Sequence, residues 1–194
     1  MSETTRLSWA KTLSYTDRGI LAQSFWITLF AAATAMGARV EIPHEPVPYT
    51  LQTLFVLLAG AFLGARNGAL SQVLYLAAGV LGAPVFSSGS FGIDKLLGPT
   101  GGYLLAFPIA AAIVGYLVGQ RRAFLRSLLS MAAGLVVIFL SGTIQLYAVY
   151  FHDWASSIKA GFLIFSWWDL LKLFAATSIY HEVAKRWPRV PRNT

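Results

Sequence analysis

The chain has 194 residues, of which 56% are hydrophobic and 12% charged, with a mean hydropathy of +0.61. A soluble domain carries about 25% charged residues, so the composition points to an integral membrane protein. There is no cysteine, which excludes disulfides, thiolate nucleophiles and Cys-ligated metals, and the net charge of +7 reads as membrane topology rather than nucleic-acid binding.

Residues 1–19 are polar and carry Arg6, Lys11 and Arg18; they read as a cytoplasmic segment. The first apolar run, 20–38, is long enough to span a bilayer as a helix. It holds Ala33-Thr34-Ala35, the small-residue pattern of a signal-peptide cleavage site. The polar lead is long for an n-region and the run continues past Ala35, so the span is expected to be retained. Ala31 and Ala35 lie one helical repeat apart, which lets another helix approach closely. That helix belongs either to a partner or to this chain.

The next segment, 39–50, has Pro43, Pro46 and Pro48, which bar a regular helix and favour a stiff extended loop. Runs 51–63 and 69–81 follow. Each makes about 20 Å of helix, short of a hydrocarbon core of about 30 Å. The turn Gly64-Ala65-Arg66-Asn67-Gly68 makes them an antiparallel hairpin, whose helices either extend with polar ends or stop short beneath a loop, and in the second case leave a recess on the outer side for the loops to fill. Residues 84–103 form a second long loop rich in Gly, Ser and Phe, suited to close backbone approach to a small polar molecule.

Runs 102–119 and 128–151 are the fourth and fifth spans, separated by Arg121, Arg122 and Arg126. The sixth, 167–184, opens with Ser166-Trp167-Trp168-Asp169-Leu170-Leu171-Lys172. Ser166 and Asp169 have capping-box spacing, which would start the helix at Trp167. Asp169 and Lys172 share a face a turn or so below the surface, where charge is costly and function is the default reading. The structural alternative is a helix cap and its counterion. Trp167 and Trp168 suit an interfacial belt.

Of the fifteen Lys and Arg residues, eleven then fall on one side of the membrane and three on the other, with Lys172 inside the last span. The expectation is an all-α integral membrane protein of six transmembrane helices, one domain over residues 1–194 with its core at 20–186 and a cytoplasmic tail at 187–194. Both termini are cytoplasmic by the positive-inside bias. His44, His152 and His181 lack metal-ligand spacing, no GxxxxGK[ST] loop occurs, and no nucleophile or carboxylate set converges in the outer loops. An enzyme is therefore disfavoured. An ion-gradient carrier would more often show internal repeats and broken helices, which are not evident.

Several motifs resemble a known family. Pro48-Tyr49-Thr50-Leu51-Gln52-Thr53-Leu54, Leu63-Gly64-Ala65-Arg66-Asn67-Gly68-Ala69-Leu70-Ser71-Gln72, Gly82-Ala83-Pro84-Val85-Phe86, Leu97-Gly98-Pro99-Thr100-Gly101-Gly102-Tyr103-Leu104 and Asp169-Leu170-Leu171-Lys172 are similar, in order, to BioY. BioY is the biotin-specific S component of energy-coupling factor (ECF) transporters. The resemblance covers roughly residues 20–185; it departs at Trp167-Trp168, where the family often has Pro-Gly.

The resemblance implies an S-component-like six-helix bundle in the cell membrane that binds biotin from outside as a transported ligand, with no cofactor. It implies docking to a transmembrane coupling subunit and two ATPase subunits, with the Ala31/Ala35 face meeting the coupling subunit. The family also includes members in organisms without a dedicated coupling subunit. Asp169 would accept from a ureido N–H, and Lys172 would serve either the ureido oxygen or the carboxylate. Phe86, Phe91, Tyr103 and Trp168 would wall the apolar bicycle. Groups around Ser87, Ser88 and Thr100 would complete the polar contacts.

Overall fold

The computed structural model describes residues 20–119, 123–163 and 167–186. Arg6, Lys11, Arg18, Arg121, Arg122, Arg189 and Arg192, which carry much of the topology reading, lie outside the described residues, as does Ser166 of the expected cap. In chain order the elements are α1 (Ile20–Arg39), β1 (Glu41–Ile42), β2 (Tyr49–Thr50), α2 (Gln52–Val80), a 3-10 turn (Ser87–Gly89), α3 (Ile93–Leu97), α4 (Gly101–Val118), α5 (Phe124–Leu146), a π-helical turn (Tyr147–Phe151), α6 (Trp154–Gly161) and α7 (Trp167–Arg186).

The chain is nearly all helix, but its spans differ from the six expected. Among the described residues four helices are long and apolar enough to cross a membrane: α1, α2, α4, and α5 with its π-helical turn. Two physical reasons account for the difference. The α7 helix carries Asp169, Lys172, His181 and Glu182, which dilute its hydropathy. The second and third expected runs are continuous in α2, which bends back on itself.

That bend rests on Gly64, whose φ of 78° lies in the left-handed region that glycine enters without penalty. In a straight helix residues 52 and 75 would sit about 34 Å apart at 1.5 Å per residue. Instead the Gln52 amide donates to the Tyr75 hydroxyl at 2.5 Å. The two arms, 52–63 and 65–80, therefore lie antiparallel, as the sequence predicts, but about a single residue rather than a five-residue turn.

A short antiparallel β-hairpin replaces the purely extended loop expected at 39–50; Glu41 pairs with Thr50 and Ile42 with Tyr49. The core joins α2, α4, α5 and α7 through Leu57, Val114, Met131, Leu135, Ile138 and Tyr180. On α7 the buried residues are Asp169, Lys172, Leu173, Ala176, Thr177, Tyr180 and Ala184, a helical stripe. The opposite face exposes Leu170, Leu171, Phe174 and Ile179. A helix apolar on its outer face too is at home in lipid, not water.

The small-residue face of α1 turns inward. Ala31, Thr34, Gly37 and Ala38 are buried, and Ala35 is half-buried against the core. Thr34 is tied to the Gln72 side chain at 3.2–3.3 Å, fixing α1 on the second arm of α2. Ala31 packs within the chain, one of the two readings its spacing left open. The outward residues of α1 include the stripe Phe25, Leu29, Ala32 and Met36.

Candidate ligand-binding site

Helix geometry puts Asp169 and Lys172 on one face of α7, and packing turns that face inward. They are 2% and 4% exposed. The Lys172 ammonium lies 2.6 Å from an Asp169 carboxylate oxygen and donates to the Thr50 carbonyl at 3.0 Å. Thr50 ends β2, so the hairpin delivers a backbone acceptor to the ammonium. Burying two charges costs several kcal/mol per ion before pairing recovers it. An internal counterion alone gives no reason to accept that cost.

The pair sits in the wall of an open-mouthed pocket of about 70 Å3. The starts of α2, α4 and α7 converge there, each turning the positive end of its dipole toward the cavity. Polar lining comes from Thr50, Gln52, Thr53, Ser87, Thr100, Asp169 and Lys172. Apolar and aromatic lining comes from Val47, Pro48, Tyr49, Tyr103, Leu104, Phe107, Ile138 and Phe139.

Five residues singled out from sequence line this cavity: Asp169, Lys172, Tyr103, Thr100 and Ser87. The Tyr103 ring is wedged against Gly142, where a Cβ would come within 2.2 Å of it, and its hydroxyl donates to the Gly161 carbonyl at 3.0 Å. Four others stand elsewhere. Phe86 is fully buried, edge-on to Tyr75 and pressed on Gly79. Ser88 donates from its N–H and hydroxyl to the Glu41 carboxylate at 2.9 and 2.8 Å. Phe91 is 59% exposed. Trp168 packs edge-on against Trp167, and its buried indole N–H has no hydrogen-bond partner among the described residues.

Ser88 instead helps tie the outer loops together. Arg39, at the end of α1, donates to the Pro84 carbonyl, so this bond and the Glu41–Ser88 pair tie segment 39–41 to the loop 84–88. At the rim, partial burial and then the nearby Asp169 charge hold the Tyr49 phenol above its ordinary pKa. It stays a neutral hydroxyl. Among the described residues no group of His, Asp and Glu could hold a metal ion.

The cavity residues that sequence reasoning left out include Gln52, Thr53, Phe107, Ile138 and Phe139. Gln52 and Thr53 carry a signal, being polar neighbours at the start of an apolar run. The other three are apolar among apolar residues and carry none.

Comparison with known proteins now bears on this geometry. The BioY family model matches residues 7–189. The chain belongs to the BioY family. Relatives in the family include the biotin transporter BioY of Thermotoga maritima, 40% identical over 157 residues, covering 81% of this chain and 92% of that one. The probable biotin transporter BioY of Pyrococcus horikoshii is 44% identical over 153 residues, covering 79% and 89%. A crystal structure of the S-component for biotin from an ECF-type ABC transporter has the same fold, with a TM-score of 0.79, 95% coverage of each chain and 22% identity. With this family membership and four apolar helices of spanning length, the chain is a multi-pass membrane protein.

Proposed function

We propose that this BioY-family chain binds biotin from outside the cell membrane and carries it inward, energised by two ATPase subunits through a transmembrane coupling subunit. The observation that carries the reading is the buried Asp169–Lys172 pair in the wall of an open pocket lined by both polar and aromatic residues. Biotin offers a ureido ring, an apolar bicycle and a carboxylate. Asp169 accepts from a ureido N–H, and Lys172 donates to the ureido oxygen or pairs with the carboxylate. Tyr103, Phe107 and Phe139 wall the bicycle, and Thr100 contributes at the rim. Phe86, Ser88, Phe91 and Trp168 act on the ligand only through the loops and helix they hold.

On this reading the chain is one functional unit that crosses the membrane six times. The two arms of α2 count separately, and α7 crosses with its charges turned inward. It uses no cofactor and performs no chemistry on biotin. Both termini are cytoplasmic. Single cysteines give a clean test, since the native chain has none. Cysteines placed at Ser2 and Asn193 resist an impermeant maleimide in intact cells, and one at Lys159, exposed on α6, reacts. Labelling of either terminus from outside reverses the topology.

The coupling subunit docks on the outward face of α1, at Phe25, Leu29, Ala32 and Met36, with Ala35 at its edge. Ala32→Trp is expected to leave melting temperature and biotin binding near the parent's while blocking assembly or uptake. Ala31→Trp overfills the core and lowers the melting temperature, since overpacking costs about 1–3 kcal/mol. Unimpaired uptake by a folded Ala32→Trp chain removes this face from the docking surface.

A further inference from the structure

We infer that α6 lies in the lipid–water interface at the cavity end of the bundle and braces the aromatic wall of the cavity from there. Its place in the interface stands on its own; the effect on binding rests on the biotin-binding reading above.

α6 is too short to cross a membrane. Its eight residues make about 12 Å of helix, against a hydrocarbon core of about 30 Å. The left-handed backbone of His152, with a φ of 55°, sets it off from the end of α5. It then starts afresh at Asp153, whose carboxylate accepts from the Ser156 N–H at 2.8 Å as an N-cap.

This short helix has three sides. At about 3.6 residues per turn, Ser157 and Gly161 share one side and are buried on the bundle. Trp154 and Ile158 share the next side, and both are exposed. Lys159, exposed, and Ser156, half-buried, lie on the far side. A core side, an apolar side and a polar side suit a helix lying along a membrane surface, with the Lys159 ammonium at the level of lipid phosphates.

The occupant of the apolar side follows from what it adjoins. On α5, Leu140 and Ile144 are exposed one turn apart, as residues facing lipid tails are. Tyr147 follows on the same face, and its ring stacks on Trp154 with centroids 4.1 Å apart and planes 11° apart. The lipid-facing stripe of α5 therefore runs into α6 and ends in a Tyr–Trp pair, the residues that membrane interfaces favour. Leu163, just past α6, and Trp167, at the start of α7, are exposed too. The partner that fits this side is the boundary between acyl chains and headgroups.

The other end of α6 touches the cavity wall. Gly161 lies so close to α5 that a Cβ would come within 2.7 Å of the Thr143 hydroxyl, and its carbonyl accepts from the Tyr103 hydroxyl at 3.0 Å. The Phe162 ring meets Phe139 edge-on, centroids 6.5 Å apart. Tyr103 and Phe139 both line the cavity. A helix fastened to lipid at Trp154 and Ile158 thus holds two wall residues through Gly161 and Phe162.

The test uses nitroxide labels on single cysteines, Ser156→Cys, Ile158→Cys and Lys159→Cys, with the protein in lipid nanodiscs. The label at 158 is expected to be reached mainly by oxygen, which partitions into lipid, and those at 156 and 159 mainly by a water-soluble nickel chelate. A chelate that reaches 158 as freely as 159 overturns the placement. Protection of all three from both reagents, as under a covering protein, overturns it as well. Biotin affinity in the same nanodiscs tests the brace, with melting temperature as the folding check. Replacing Trp154 and Ile158 together by Ser is expected to weaken binding about two- to tenfold, the span of one ordinary hydrogen bond. In a Tyr103→Phe background, which already lacks the bond to Gly161, the same change is expected to cost less than about twofold. No loss, or the same loss in both backgrounds, overturns the brace. Ile158→Ser alone replaces the double change if that chain does not fold, with the same outcomes. Failure of the parent to bind biotin overturns the biotin reading instead, and the labels still decide where α6 lies.

Discussion

Biotin affinity is expected to fall ten- to a hundredfold in Asp169→Asn and in Lys172→Met, and the double variant is expected to recover none of it. Removing one partner of a charged or buried hydrogen bond costs on the order of 1–3 kcal/mol, and every 1.4 kcal/mol is a factor of ten. The double variant decides between the two roles of the pair. If the two residues served only each other, removing both would leave no orphaned charge, and binding would return toward the parent value. If they serve biotin, two ligand contacts are lost and the affinity stays low. Both side chains are at least 95% buried, so each single variant needs a check that it still folds. A folded double variant with the parent's affinity would take the pair out of the site.

Gly142→Ala is expected to be the next most damaging change, although position 142 is not among the cavity residues. A Cβ there would sit 2.2 Å from the Tyr103 ring. The ring cannot retreat easily, since its hydroxyl is bonded to Gly161 and its edge meets Phe139. Such overpacking typically costs about 1–3 kcal/mol. It would also push Tyr103 toward the ligand. The expected result is a lower melting temperature together with at least about a tenfold loss in biotin affinity, since 1.4 kcal/mol is a factor of ten. Tyr103→Phe separates the effects: it keeps the ring and removes only the bond to Gly161, so it should be the milder of the two. A Gly142→Ala chain with unchanged stability and affinity would contradict the wedged position of Tyr103.

How much of the site was legible depended on which elements carry it. Asp169 and Lys172 lie on a helix, where a spacing of three fixes a shared face; the charge then says that the face points inward. Tyr103 and Thr100 flank the start of α4 and were legible through the Gly-Pro-Thr-Gly-Gly-Tyr run. Phe86, Ser88 and Phe91 lie in a loop with positive φ at Ser88, Gly89 and Gly92, where no period fixes the direction of a side chain. The backbone turns Phe86 into the core and Phe91 out to the surface. The hairpin arms were legible from Gly64 and Gly68, but nothing local said that the turn would need only one residue. The inward direction of Ala31 was equally hidden, because a small-residue face looks the same whether it packs on its own chain or on a partner.

Binding of labelled biotin to the purified chain alone, in detergent or nanodiscs, tests the central claim most directly. No ATP, partner subunit or ion gradient is added. The account predicts saturable binding of one biotin per chain, competed by unlabelled biotin and lost when Asp169 and Lys172 are both replaced. A folded chain that binds no biotin under these conditions, or binds it only when an ion gradient is imposed, would contradict it.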